Sequence, residues 1–558
     1  MHEHDETAGG GKPITRGRLL RQGAAMAGVA AVGPHLLTPG ASRVVAARRG
    51  QVIDAFTQEA VNFNPLLYVN TGIETAVEYS VFDAPWKITP AGTFVPNLAT
   101  EIPSVANGGI SKDGKEWTLH FRRDVTWHDG APFTAKDVQF TFETIMNPKV
   151  VARSTTGHDH VADFSTPDPY TAKIRLKDTF APYLVVWQKT SIIPRHILER
   201  VPNINTASFN TNPIGTGPFR FKERVAGDHI SFVANPHYHG AGPYLQSLVQ
   251  KYVPDQQTLY VQFQTGEVTI YDLQSIPPQL YNQAKALPSH NVNDYAGQAF
   301  VEFIYFNLGK PQFREKIVRQ ALYLAMDKKS WIDAVYYGIG VRTLSYLGPD
   351  HWAYNHSLTD PGYNPTKAAA LLDSAGWHVG KDGIRQKNGV KLSFTMSTTA
   401  GNKTREQAQQ LLQQNFKAIG VEMIIHNMPA SVVWGDYTVK SQFDTLMVAW
   451  DPLLYPDPDY SSRIVSNQIP VKNNTGSNYV QYQNKEIDRL SAAGVATTDL
   501  AERKRIYGRI QAILLDELPF APILSFRQIN GTLSALHNFT PNQYTSCNSW
   551  NNNEWYVS

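Results

Sequence analysis

The sequence predicts a mixed α/β fold with more than one hydrophobic core. A chain of 558 residues exceeds the usual size of a single-core domain. Stretches with strand-like alternation and stretches with helical periodicity follow one another irregularly, and this pattern predicts more than one β-sheet. Residues 391–425 have the order strand, amphipathic helix, strand, which predicts a parallel strand pair.

The first 47 residues are predicted to be a signal peptide and not part of the fold. Three arginines between residues 16 and 21 form a positive region, and a short apolar stretch rich in alanine and glycine follows at residues 23–33. That stretch is too short to span a bilayer, and residues 45–47 offer small side chains for cleavage. The arginine segment resembles the twin-arginine export motif, with Gly17 where the second arginine belongs. We therefore expect an exported protein, and the export pathway stays open.

The segment from Lys115 to Val138 is predicted to form a strand, a turn and the start of a helix. The turn is His128-Asp-Gly130, and Thr134 with Asp137 three residues later resembles a helix capping box with Asp in place of Glu. Apolar residues alternate with polar ones in the strand, as a half-buried strand requires. These apolar residues are Trp117, Leu119 and Phe121.

The rest of the body continues the alternation of strands and helices. Helical patterns cover residues 256–266, 314–328, 367–374, 404–419 and 501–516. Strand patterns cover residues 268–273, 300–307, 391–396, 421–425 and 443–449. The helix at 404–419 keeps its apolar residues on one face, as a helix packed on a sheet does.

Composition favours a globular solute receptor over a nucleic-acid-binding or membrane protein. The net charge is +3 without a concentrated basic run in the body, so nucleic acid is not an expected partner. Apart from the apolar stretch near the start, no run approaches the roughly 18–20 apolar residues of a membrane span. Aromatic residues make up 11% of the chain, and many stand in predicted loops, where they suit binding of organic solutes. Cys547 is the only cysteine, so no disulfide can form within the chain.

Several motifs carry a family resemblance. The order W-x-x-x-x-R-x-x-V-x-W-H-D-G-x-P-x-T-A-x-D-V, from Trp117 to Val138, closely resembles the signature of the family 5 extracellular solute-binding proteins of bacterial ABC importers. Further segments resemble the same family in the same order, so that the resemblance covers nearly everything after about residue 50. These segments are Gly215-Thr-Gly-Pro-Phe-Arg-Phe221, Asn235-Pro-His-Tyr238, Val318 to Lys328, Tyr363 to Leu372 and Leu518 to Ile523.

The resemblance implies a two-lobed periplasmic-binding-protein-like α/β fold of the class II type, with an extra subdomain in the first lobe. We expect the first lobe at residues 48–304, the second at 305–530, and a return to the first lobe at 531–558, so that the chain crosses between lobes twice. The implied function is capture of a peptide or similar organic solute in the cleft and delivery to an ABC permease. An oligosaccharide is the alternative ligand, a metal chelate also stays open, and a sensor or an enzyme on the same scaffold is a third possibility. We expect a monomer without a cofactor.

Catalytic motifs are missing from the sequence. It contains no G-x-x-x-x-G-K-[ST], G-x-S-x-G or H-E-x-x-H pattern, which favours binding over catalysis. His158-Asp-His160 is the best local candidate for a metal site, since two imidazoles and a carboxylate can ligate a transition metal. A polar surface loop explains the same residues better, so we expect no metal. We likewise expect Trp127 and His128 to pack and cap locally.

The segment from Val448 to Tyr460 is the strongest candidate for a solute site. It follows a predicted strand, and its three prolines stiffen a loop that holds aromatic and acidic side chains. Rigid aromatic rings beside carboxylates suit a sugar, a peptide or an amine, whereas a packed turn is the alternative interpretation. The candidate contact residues of this loop are Trp450, Asp451, Tyr455 and Asp457.

One position of this loop departs from the family pattern. In peptide-binding members, an Asp three residues after the matching Trp pairs with the α-amino group of the peptide, and this chain has Leu453 there. The departure makes an oligosaccharide a serious rival. Asn64 lies in a segment, Asn62-Phe-Asn-Pro65, that resembles an L-N-P element of the family often found at the cleft. Weaker candidates for solute contact are Trp86, Tyr305, Trp434 and Arg463.

Overall fold

The computed structural model describes residues 50–67, 73–273, 275–429, 432–450, 455–473, 476–545 and 547–558. The predicted signal peptide lies outside these ranges. The described residues belong to one compact unit. Within the described ranges, no helix has both the length and the apolar character needed to cross a membrane.

The strands span most of the chain. They are β1 (Gln51–Phe56), β2 (Trp86–Ile88), β3 (Phe94–Pro96), β4 (Glu116–His120), β5 (Val161–Asp168), β6 (Thr171–Leu176), β7 (Phe219–Val225), β8 (His229–Ala234), β9 (Ser247–Tyr252), β10 (Ile270–Tyr271), β11 (His290–Phe306), β12 (Val341–Arg342), β13 (His378–Val379), β14 (Arg385–Lys387), β15 (Val390–Lys391), β16 (Ser393–Ser397), β17 (Glu422–Ile425), β18 (Thr445–Trp450), β19 (Phe520–Leu533), β20 (Leu536–His537) and β21 (Tyr556–Val557).

The α-helices lie between these strands. They are α1 (Ile73–Val81), α2 (Ala135–Met146), α3 (Tyr183–Gln188), α4 (Arg195–Leu198), α5 (Gln256–Gln264), α6 (Tyr281–Lys285), α7 (Pro311–Arg314), α8 (Lys316–Ala325), α9 (Lys328–Val335), α10 (Pro365–Ser374), α11 (Lys403–Ala418), α12 (Ser461–Ile464), α13 (Pro470–Asn473), α14 (Lys485–Val495) and α15 (Leu500–Glu517).

One large mixed sheet runs through the molecule. Its strand order in the described part of the chain is β17-β16-β18-β11-β19-β10-β1-β9-β8-β7, with β12 paired to β19. Strands β16 and β17 pair in parallel across α11, which confirms the parallel pair expected for residues 391–425. In the half of the sheet from β10 to β7, β1 pairs in parallel with both β9 and β10. The pairs β9-β8 and β8-β7 are antiparallel.

The two central strands, β11 and β19, join the halves of the sheet. They pair antiparallel from His290↔Leu533 to Tyr305↔Phe520, and the register shifts between Ala296 and Val301. On one side of this shift β19 pairs with β10, and on the other side β11 pairs with β18. Strand β11 begins at His290, ten residues before the predicted strand at 300. Its first half was not predicted because polar residues interrupt the apolar pattern there.

The buried side chains divide into two lobes at these strands. Three apolar clusters draw on residues 52–292 and 529–555, and two others draw on residues 301–524. A separate three-stranded sheet, β4-β6-β5, lies among the residues of the first lobe. Trp117, Leu119 and Phe121 are buried on this sheet as the alternation predicts, and Trp127 is buried against Phe133.

Two of the sequence motifs meet at a single joint in the first lobe. The Nδ1 atom of His128 accepts a hydrogen bond from the amide of Gly215 at 3.2 Å, and its Nε2 donates to the carbonyl of Gly217 at 3.0 Å. The Gly217 amide donates to the Val81 carbonyl at 2.8 Å, and a Cβ at Gly215 would lie 1.8 Å from that oxygen. The glycines are thus required by close backbone approach. Burial lowers the pKa of His128 to about 4.

The prediction of one continuous helix at residues 314–328 is wrong. It is divided into α7, α8 and α9, with a break at Met326 and Asp327. The Asp327 carboxylate accepts a hydrogen bond from the Ser330 amide at 3.0 Å and so begins a new helix. The other predicted helices, at 256–266, 367–374, 404–419 and 501–516, are confirmed within about two residues at their ends.

Candidate solute-binding site

A cavity of about 510 Å³ lies in the first lobe. Its wall combines α1, the turn before it, the segment around Trp86, residues 151–158 and 186–191, and the C-terminal return. Phe300, on the strand that crosses between the lobes, also contributes. A volume of this size is typical of small-molecule sites. Residues far apart in sequence thus form one concave surface next to the crossing strands.

Charged residues on the cavity wall are held by neighbours within the protein. The Glu78 carboxylate accepts a hydrogen bond from the Ser191 hydroxyl at 2.6 Å, and the Arg153 guanidinium lies 3.8 Å from its other oxygen. Asp83 accepts hydrogen bonds from Asn97 at 2.8 Å and from a threonine hydroxyl at 3.1 Å. The wall therefore offers oriented charges of both signs, which suits a polar or zwitterionic solute.

The two lobes touch beside this cavity. The Tyr455 ring, in the loop after β18, stacks on Tyr544 of the C-terminal return, with 5.4 Å between ring centroids. Both rings pack in one cluster with Ile88 of the first lobe. At another contact, the Ala181 amide donates a hydrogen bond to the Val495 carbonyl at 2.8 Å. Tyr455, predicted as a solute contact, thus lies at the contact between the lobes.

Trp450 and Arg463 form the centre of an aromatic cluster at the end of β18. The Arg463 guanidinium carbon lies 4.0 Å from the centroid of the Trp450 ring, and the Trp434 ring meets Trp450 edge-on at 5.5 Å. Trp434 is 38% exposed, and the buried Trp450 indole N–H has no hydrogen-bond partner within the described ranges. Trp450 pairs with Val301, the residue after Phe300 of the cavity wall. Trp450 packs against the core of the second lobe, and none of these three side chains lines the cavity.

Two predicted contact residues hold the first lobe together. Asn64 is fully buried, with its side chain donating to Asn210 at 3.0 Å and accepting from the Leu66 amide at 3.0 Å. Trp86 lines the cavity, and its indole donates to the Leu184 carbonyl at 2.8 Å. Asn64 therefore shapes the turn that carries the wall residue Leu66, whereas Trp86 supplies part of the wall itself.

Tyr305 is buried in the second lobe. Its ring stacks on Phe520 with 5.5 Å between centroids, and its hydroxyl lies 3.4 Å from that of Tyr460. Burial raises the pKa of Tyr305. Its prediction as a solute contact is corrected to a packing role, because this side chain points from β11 into the core of the second lobe.

The acidic residues of the loop after β18 differ in the contacts that they make. Asp457 is buried and pairs with Arg503, whose nitrogen lies 2.7 Å from the carboxylate. Its predicted contact with solute is corrected to a structural ion pair, since a buried carboxylate needs a partner. Asp459 accepts hydrogen bonds from the amide and hydroxyl of Ser461 at 3.2 and 2.9 Å. Asp451 lies outside the described residues.

The two histidines of the metal candidate do not converge. His158 is buried against Trp187, with 5.0 Å between ring centroids, whereas His160 stacks on Phe180 at 4.1 Å. Within the described ranges, no group of three or more His, Cys, Asp or Glu side chains could hold a metal ion. Apart from Trp86, the residues around the cavity were missed because their segments are distant in sequence. A weak signal existed in α1, where Glu74 and Glu78 are spaced one turn apart on a largely apolar helix.

Comparison with known proteins assigns the family. The model described as "Bacterial extracellular solute-binding proteins, family 5 Middle" matches residues 93–470, more than half of the chain. The chain belongs to this family. It is accordingly an extracytoplasmic solute-binding component of an ABC importer, with the two-lobed class II type of fold.

Individual relatives match this chain over most of its length. The oligopeptide-binding protein AppA of Bacillus subtilis is 29% identical over 480 residues, which are 84% of this chain and 85% of the relative. Its structure in complex with a nonapeptide has a TM-score of 0.75 and 26% identity, covering 92% of this chain and 99% of that one. The structure of NikZ from Campylobacter jejuni in complex with Ni(L-His) has a TM-score of 0.77 and 27% identity, with coverages of 91% and 99%.

Proposed function

We propose that this protein binds a peptide, or an organic solute of similar chemistry, between its lobes and delivers it to an ABC permease. The observation that carries the proposal is the cavity of about 510 Å³ in the first lobe, beside the contact between the lobes, with charges of both signs and many aromatic rings on its wall. A peptide presents the complementary groups, namely charged termini and apolar side chains. Similarity to an oligopeptide-binding protein over 84% of the chain supports the same ligand class.

An oligosaccharide is the second candidate ligand. It is favoured by Trp434, whose 38% exposed ring beside Trp450 offers an apolar surface to a sugar, and by Leu453, where peptide-binding members have the Asp that pairs with an α-amino group. The α-amino group would then need another partner. Glu78 is one such carboxylate on the cavity wall.

The division of the chain follows from the two central strands. We infer a first lobe at about residues 48–300, a second lobe at about 301–528 and a C-terminal return after that. These boundaries are close to those expected from the resemblance. Support comes from the change of strand partners along β11 and β19 and from the separation of the buried clusters. The same proposal includes export by a signal peptide within residues 1–47, a monomeric state and the lack of a catalysed reaction.

Native mass spectrometry of protein purified from its own host tests the ligand class. We expect a peptide or a mixture of peptides to be released on denaturation, because closed binding proteins retain tight ligands. Calorimetric titration of the stripped protein with the recovered compounds should then restore saturable binding. Release of an oligosaccharide, with no affinity for any peptide fraction, would contradict the peptide proposal in favour of the second candidate.

A further inference from the structure

The contact between Tyr455 and Tyr544 joins the two lobes beside the cavity. Their rings stack with 5.4 Å between centroids, and the two residues are only 6% and 7% exposed. Tyr544 and Ile88, which pack in one cluster with Tyr455, belong to the described wall of the cavity, and Tyr455 does not. A residue of the second lobe therefore covers two residues that form part of the cavity wall in the first lobe.

The second lobe holds Tyr455 in place through the carbonyl of the next residue. The Trp352 indole and Nε2 of His351 each donate a hydrogen bond to the Pro456 carbonyl at 3.0 Å. Burial lowers the pKa of His351 to about 3, so its ring is neutral, and its Nδ1 accepts from the Ala353 amide at 3.0 Å. The His351 ring also packs against the Tyr455 ring, with 5.1 Å between centroids. These contacts present Tyr455 to the first lobe in a fixed position.

The first lobe orders its half of the contact in a similar way. The side chain of the buried Asn542 donates to the Ile88 carbonyl at 2.8 Å and accepts from the Tyr544 amide at 3.0 Å. Gly92 lies against the Tyr544 side chain, where a Cβ would come within 3.3 Å of the phenol. Each half of the contact is therefore ordered by bonds and packing within its own lobe.

Two ordered surfaces of this kind favour the arrangement in which the lobes touch. Side chains that are already fixed lose little conformational entropy when they meet, and an aromatic pair contributes beyond the apolar area that it buries. Separation of the lobes would expose both tyrosine rings to water and uncover the cavity wall at Tyr544 and Ile88.

We propose that Tyr455 and Tyr544 form a latch that holds the lobes together beside the cavity and sets how long a solute is retained. Tyr455 is a positioning residue, because it acts on the cavity wall through Tyr544. The retention of solute rests on the proposed function, and the latch adds to that function a control over release.

Distances between the lobes test the latch in stripped protein. Asp178→Cys and Leu500→Cys, at exposed positions of the first and second lobes, carry nitroxide labels for pulsed electron resonance, while the buried Cys547 stays unlabelled. We expect Tyr455→Ala to increase the ratio of separated to touching lobes roughly two- to tenfold, the contribution of one aromatic pair. Tyr363→Ala, the same change at an exposed position of the second lobe, should leave the distances unchanged.

A double-variant cycle shows whether the two rings act together. Tyr544→Ala should shift the distances as Tyr455→Ala does, and the combination should shift them no further, since either change alone breaks the stack. Tyr455→Phe keeps the ring and should retain the wild-type distances. Additive shifts, or wild-type distances in both single alanine variants, would overturn the proposal. If one alanine variant fails to fold, the other still decides.

Release of solute tests the role of the latch in retention. The probe is the peptide fraction recovered from denatured wild-type protein, and tryptophan fluorescence follows its release on dilution, since Trp86 and Trp550 line the cavity. We expect this fraction to leave the Tyr455→Ala variant severalfold faster than the wild type. Equal release rates would overturn the control of retention by the latch.

The outcomes separate the latch from the proposed function. If no peptide fraction is recovered or bound, the proposed function is contradicted, and the distances in stripped protein still decide whether the latch exists. Unchanged distances together with tight binding of peptide contradict only the latch.

Discussion

The guanidinium of Arg463 lies over the indole of Trp450, with 4.0 Å between its central carbon and the ring centroid. Trp450 ends β18, whereas Arg463 lies on α12 beyond the proline-rich loop, so their contact ties the two ends of that loop together. A cation held over an aromatic face stabilises the ring orientation by roughly 0.5–2 kcal/mol. The structure therefore presents Trp450 in a fixed orientation at the end of β18.

Replacement of Trp450 by Ala should weaken solute binding more than folding. We expect a loss of about 1–3 kcal/mol of binding free energy, or roughly ten- to hundredfold in affinity, if the ring contacts the solute. The melting temperature of the ligand-free protein should fall only modestly. Calorimetric titration and thermal unfolding give the two values. Trp331→Ala is the matched control, because Trp331 is fully buried and its loss should cost about 3–5 kcal/mol of folding stability. An unaltered affinity in Trp450→Ala would place the ring in the core.

Replacement of Asp457 by Ala should destabilise the second lobe strongly. The change leaves the buried Arg503 guanidinium without its carboxylate, and an uncompensated buried charge costs about 3–5 kcal/mol. Urea unfolding of the ligand-free protein measures the loss. The control is Glu502→Ala, which removes the surface pair with Arg505 and should leave the unfolding midpoint unchanged. Similar midpoints for the two variants would show that Asp457 has no structural role.

Asp272 should make folding stability depend on pH. Burial raises its pKa to about 6, although Asn548 donates a hydrogen bond to its carboxylate at 2.6 Å. Because the folded-state pKa is above the unfolded value, the stabilising contribution is present below about pH 4 and is lost as the pH rises through about 6.

A comparison with Asp272→Asn isolates this contribution. Between pH 4 and pH 7, the free energy of unfolding of the wild type should fall relative to the variant, by about 3 kcal/mol at most. Urea titrations across this pH range measure the difference. Asp178→Asn, at an exposed position, is the control and should run parallel to the wild type. A constant difference between wild type and Asp272→Asn would contradict the raised pKa.

The lobes should move as rigid bodies when solute binds. The connections between them run through β11 and β19, so rotation about these strands alters the cleft without disturbing either core. Small-angle scattering should show a smaller radius of gyration for protein saturated with its recovered ligand than for stripped protein. Identical radii in the two states would argue for a site that is preformed and static.

The exported protein should begin between Ser42 and Gly50. The expectation follows from the apolar stretch at 23–33 and the small residues after it. N-terminal sequencing of protein recovered outside the cytoplasmic membrane identifies the first residue. Recovery of Met1 there would show that the segment is retained.

Local patterns were sufficient wherever a residue's environment is set by its own segment. The alternation of Trp117, Leu119 and Phe121 predicted a half-buried strand, because side chains two apart share one face of a sheet. The helix at 404–419 and the parallel strands on either side of it followed from periodicity in the same way. The family motifs added the two-lobed fold, which no local pattern contains.

Contacts across long sequence separations were beyond the reach of such patterns. The sequence predicted Asp457 as a solute contact, whereas in the structure it pairs with Arg503, 46 residues away. Tyr305 was also predicted as a contact, but its ring is stacked on Phe520. The cavity likewise assembles His158, Gln188 and Tyr544 from separate segments. Periodicity reports which face of an element is buried, whereas the partner on that face depends on how distant elements pack. For this reason the family motifs predicted the lobes and local patterns predicted some of their strands and helices, whereas packing between elements decided which polar residues stabilise the fold and which line the cavity.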